Sequence, residues 1–160
     1  MAITVEVDDL VTVGGQTLVT DAFAPLGIAT GAAYADKDAI GTVAVRVTVP
    51  RSGIIQSATY YDLDDEGLPV DLWLFASPPG AQTDNSAFAL NDQDVLAVID
   101  VVQFSGSFFD AVNCQVCTVN GLGIAYVAPL ESIWVQLQAR GALNIAAGNL
   151  PNFRLRILYD

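Results

Sequence analysis

Thr42-Val43-Ala44-Val45-Arg46-Val47-Thr48-Val49 decides the fold class. Four valines fall on one side of a two-residue period and Thr42, Arg46 and Thr48 on the other, which is the pattern of a half-buried strand. Val135, Leu137 and Ala139 against Gln136, Gln138 and Arg140 repeat it. Phe153, Leu155 and Ile157 against Arg154, Arg156 and Leu158 make a third strand just before the end of the chain. Both late strands are expected to hold their polar side chains in solvent, Arg140, Arg154 and Arg156 among them. Ile54–Tyr61 and Val70–Ala76 read as two further strands, and the polar, glycine-ended run Asp62–Gly67 between them suits a hairpin turn. Val98–Phe104 and Val112–Val119 are rich in β-branched residues, with Ser105-Gly106-Ser107 as the break between them. Asn91 followed by Asp92 and Asp94 predicts one short helix over 91–97, because an Asx cap and early acids satisfy free N–H groups and the helix dipole. Gly121–Pro129 follows neither period.

Seven or eight short strands, with no regular alternation with helices, predict an all-β antiparallel sandwich. Jelly-roll and immunoglobulin-like windings both fit the pattern. A doubly wound sheet would need crossover helices that the sequence does not contain. At 160 residues the chain is expected to form a single domain. Residues 1–41, glycine- and alanine-rich where they approach Gly41, read as an irregular N-terminal arm, and 42–160 as the sandwich core.

Charged residues make up 15% of the chain and hydrophobic ones 52%, a composition that folds rather than staying disordered. Six Lys+Arg against eighteen Asp+Glu give a net charge of −12, so neither nucleic acid nor an anionic membrane is an expected partner. Histidine is absent, which excludes His-dependent triads and the commonest zinc sites. The first nine residues lack a basic start and a continuous apolar core, so the chain is expected to be made in a cytoplasm. The charge-free stretch between Asp110 and Glu131 is interrupted by Asn113, Gln115, Asn120, Gly121, Gly123 and Pro129, and is not a membrane helix.

Candidate chemistry is sparse. Cys114 and Cys117 have no second CxxC or histidine pair to complete a zinc site, and β-branched neighbours place them in a strand as reduced thiols. Asp62-Leu63-Asp64-Asp65-Glu66-Gly67 begins like an EF-hand loop, but Trp73 stands where the bidentate acid belongs. No metal or cofactor is expected, then; Asp62, Asp64, Asp65 and Glu66 form the alternative, a calcium site of another kind, and a solvated acidic turn is the plain reading. Nothing singles out a carboxylate pair for glycoside hydrolysis. Trp73, which shares a strand face with Asp71 and Phe75, and Trp134 could stack on sugars, but packing is the commoner role of tryptophan in a sandwich.

Tyr34–Gly41, Ser52–Thr59 leading into the Asp62 turn, Val70–Phe75 and Asp84–Asp92 occur in one order. As an ordered set they resemble a family of small virion proteins of tailed bacteriophages, of the capsid decoration or cement type. The likeness spans Tyr34 to Tyr159 and leaves out the N-terminal stretch and the two cysteines. It implies a non-enzymatic structural protein on the outer surface of the capsid, synthesised in the host cytoplasm. It further implies binding to the major capsid protein, self-association as a dimer or trimer, and stabilisation of the head. The stretch up to Gly41 is the expected contact with the lattice or with other copies. The rival reading is a glycan- or calcium-binding sandwich module of a phage fibre or tail, with Trp73, Trp134 and the Asp62–Glu66 turn as its site.

Overall fold

A computed structural model describes residues 15–29 and 31–160. Two antiparallel sheets face one another. The five-stranded sheet runs in the order β1 (Gln16–Val19), β9 (Asn152–Tyr159), β3 (Ser52–Asp62), β7 (Gln115–Val127), β6 (Phe109–Asp110). The four-stranded sheet runs β2 (Ala39–Thr48), β8 (Ser132–Ala139), β4 (Val70–Phe75), β5 (Val98–Phe104). With the two-residue β6 set aside, the orders 1-9-3-7 and 2-8-4-5 mean that every connection except β4 to β5 crosses between sheets. That is the winding of a jelly roll, which settles the choice between the two sandwich types. The core is built from the inward positions of both sheets. Phe153, Leu155 and Ile157 of β9 are fully buried, and the Tyr60 and Phe153 rings stack 5.0 Å apart with Phe104 against both.

The short helix α1 (Asp92–Leu96) stands where its sequence places it. Asn91 accepts the N–H groups of Gln93 and Asp94, while the Asp94 carboxylate accepts the Asn91 N–H, a reciprocal cap.

Five expectations need correction. The run Asp62–Gly67 is not a hairpin turn: β3 and β4 lie in different sheets, and the turn carries the chain from one to the other. Turn chemistry reports that the chain reverses, not which strand it reverses onto. Gln136 and Gln138 are buried rather than solvated. The Gln136 amide donates to the Ile40 and Gly41 carbonyls, and Gln138 accepts from the Trp73 indole N–H, so polarity here marks hydrogen bonding. Of the four valines read as one face, Val45, Val47 and Val49 do pack toward the core, but Val43 does not share their burial, because the register of β2 against β8 shifts between Ile40 and Val45. Ahead of the regular pairing Val43 is exposed and Ala44 buried. The strand expected over 112–119 starts at Gln115 and runs on to Val127; Val112 occupies a left-handed turn at φ 76°. Cys117 accordingly lies buried in the strand and Cys114 in the turn before it, both as free thiols. Finally, residues 16–29 and 31–41 do not form an arm: β1 pairs with β9, Phe23 bridges Phe153, and β2 begins at Ala39. Residues 1–14 and 30 of the expected arm lie outside the described residues.

Candidate functional site

The Asp62 turn is a fastener. Asp62 is buried; its Oδ2 accepts the N–H groups of Glu66 and Gly67 and its Oδ1 that of Asp64. Asp64 in turn accepts the Ala146 N–H at 2.7 Å and the Asn149 amide, and Glu66 accepts the Asn144 N–H at 2.9 Å. Asp65 sits at φ 59°, exposed. Three of the four acids of the alternative calcium site therefore direct their oxygens at amide donors: Asp62 holds the turn itself, and Asp64 and Glu66 tie it to the loop before β9. Among the described residues no group of three His, Cys, Asp or Glu is placed to hold a metal ion.

The same use of acids recurs. Asp84 accepts the Ala29 and Gly41 N–H groups and the Tyr34 hydroxyl, Asp94 the Gly80 N–H, and Asp38 the Ala35 N–H. Burial and the Asp84 carboxylate hold the Tyr34 phenol far above its ordinary range. The Asp71 carboxyl is pushed upward by its burial, against the pull of the Arg140 guanidinium 3.3 Å away.

Trp73 is no platform for a sugar. Its ring packs between Phe75, 6.4 Å away, and Phe88, 5.3 Å away, with its N–H on Gln138. Trp134 is half-buried on the same outer face of the four-stranded sheet, opposite Phe75.

The outer face of the five-stranded sheet is different in kind. Four of its strands, β1, β3, β7 and β9, contain one acid, the buried Asp62, and two cations, Arg154 and Arg156, while the two-residue β6 at its edge ends in the exposed Asp110. The inward residues of β9 alternate with these arginines, so both point outward. Arg154 pairs with Thr59 and Thr59 with Thr118, whose hydroxyls are 3.1 Å apart; Arg156 pairs with Ser57 and Ser57 with Asn120. The Arg154 guanidinium lies 5.8 Å from the centre of the Tyr61 ring, a cation–π arrangement that holds it over the sheet. The other ion pairs among the described residues are Arg51–Glu131 and Arg140–Asp71; neither arginine of this face is in one. A chain of net charge −12 thus presents across these four strands one broad face with hydroxyls, amides and two guanidiniums and no exposed acid. The alternation around Arg154 and Arg156 was visible in the sequence as a solvent-facing pattern. That the neighbouring strands would be free of acid needed the sheet order.

No family model matches the chain, and neither the curated proteins nor the solved structures contain a match to it.

Proposed function

We propose that this chain is a non-enzymatic structural protein of a tailed-bacteriophage virion, a decoration or cement protein that sits on the outer surface of the capsid. It binds the lattice of the major capsid protein, bridges neighbouring capsomers and stabilises the head. A ligand that binds only the assembled shell stabilises it by mass action, with no reaction required. The observation that carries this reading is the outer face of β1, β9, β3 and β7, where Arg154 and Arg156 stand without acids in a strongly acidic chain. Such a face meets a protein shell, while the acids elsewhere remain toward solvent and away from packaged or free DNA. The ordered motifs from Tyr34 to Asp92 support the same reading through their likeness to virion proteins.

The test is co-sedimentation of the purified protein with phage heads assembled without it. Wild type should saturate the heads, and the double variant Arg154→Glu/Arg156→Glu should lose roughly tenfold or more in apparent affinity, at about 1 kcal/mol per lost charge contact. Failure of the wild type to bind any region of the head would overturn the proposal.

A further inference from the structure

The charge-free stretch from Ala111 to Leu130 is left unexplained by the shell-binding face. Most of it is β7, and β7 is nearly an edge strand. Its inner side pairs with β3 along its length, but on its outer side β6 pairs only with Gln115 and Val116. From Cys117 to Val127, among the described residues, no strand is hydrogen-bonded to that outer side, although β5 of the other sheet comes within 8 Å of β7. Alternate N–H and C=O groups of that length point outward, a template for another strand. Monomeric proteins block such edges with lysine, proline, an inward charge or a bulge, and residues 117–127 contain none of the first three. The single irregularity is the Gly121–Gly123 bulge, where the register against β3 shifts.

We propose that the free edge of β7 pairs antiparallel with β7 of a second copy of this chain about a two-fold axis, joining two five-stranded sheets into one. An antiparallel edge is complementary to itself, donor to acceptor, about such an axis, which is what an isologous dimer requires. Charge permits contact here and opposes it elsewhere: two molecules of −12 repel, and this edge carries no charge of its own. Apolar side chains complete the match. Phe109 and Val112, 71% and 83% exposed, flank the start of β7, and Val127 and Leu130, 69% and 71% exposed, flank its end. Two-fold antiparallel pairing lays each start against the other copy's end. With the axis at the bulge, outward Thr118 meets outward Val127 of the other copy, and Asn120 meets Ala125. The proposal stands whether or not the chain coats a capsid.

Sedimentation equilibrium of the full chain over roughly 1–200 μM should give a dimer. Thr118→Glu/Val127→Glu puts carboxylates face to face across the axis and should give a monomer at every concentration in that range. Lys37→Glu, which changes the net charge equally but lies away from β7, should remain dimeric; melting temperatures confirm that both variants are folded. Amide exchange within 117–127 should be slow in the dimer and speed up on dilution. The proposal is overturned by a wild type that stays monomeric, by a Thr118→Glu/Val127→Glu protein that dimerises as the wild type does, or by a dimer whose protected amides lie elsewhere. A monomer protected at 117–127 only when bound to phage heads would give the edge to the shell protein and likewise overturn it.

Discussion

Asp62 illustrates what many acids of this protein do. Its two carboxylate oxygens accept three backbone N–H groups inside a turn that crosses between sheets. Asp62→Ala leaves those donors without their acceptor and should cost about 2–4 kcal/mol, read from the urea midpoint. Because the turn's oxygens already have donors, calcium should leave the melting temperature unchanged; a saturable rise would restore the calcium reading of Asp62, Asp64, Asp65 and Glu66. Asp71 gives a pH signature. Its carboxyl is pushed above the ordinary 3.8 by burial, so the folded chain holds this proton more tightly than the unfolded one. Its contribution to stability is therefore full below 3.8 and is lost as pH rises through the folded value. Arg140→Ala removes the opposing pull and raises the group further. That variant should be about 1–2 kcal/mol less stable than wild type near pH 7, a figure discounted for the partly exposed arginine. The deficit should shrink as acidification returns the proton to the Asp71 carboxyl, as denaturant melts at neutral and acid pH would show.

At the scale of elements, legibility followed the match between alternation and exposure. β9 and α1 were readable because one face of β9 is core and the other solvent, and because the Asn91 cap lies in its own sequence. β8 was readable as a strand, but its glutamines sit beneath neighbouring chain, and a polar side chain with a buried partner looks in sequence like a solvated one. β1 has four residues, only one of them packed on the core, too few to establish a period. The acid-free face was illegible for another reason: it combines strands separated by about 140 residues, from β1 to β9, and only the jelly-roll order makes them neighbours. The β2 bulge depends on Gly41, at φ 86°, where an added Cβ would lie 2.6 Å from the Leu26 carbonyl oxygen. Gly41→Ala should cost about 2 kcal/mol or more, measured by thermal melting, because both the backbone conformation and the close approach exclude a side chain.

Across the described residues, the acids act as loop fasteners and surface charge, while the outer face of β1, β9, β3 and β7 and the edge of β7 from Cys117 to Val127 are kept free of them. A dimer formed through β7 would carry two arginine faces on one joined sheet, and two weak contacts acting together hold a lattice far better than one. Binding to heads should accordingly weaken as salt is raised, since exposed guanidinium contacts are screened within about 8 Å at 0.15 M. The central claim is that the chain coats a phage head. Quantitative mass spectrometry of purified heads tests it most directly: the account predicts this chain in numbers comparable to the major capsid protein, and its absence from the shell, or a stoichiometry of a few copies per particle, would contradict it.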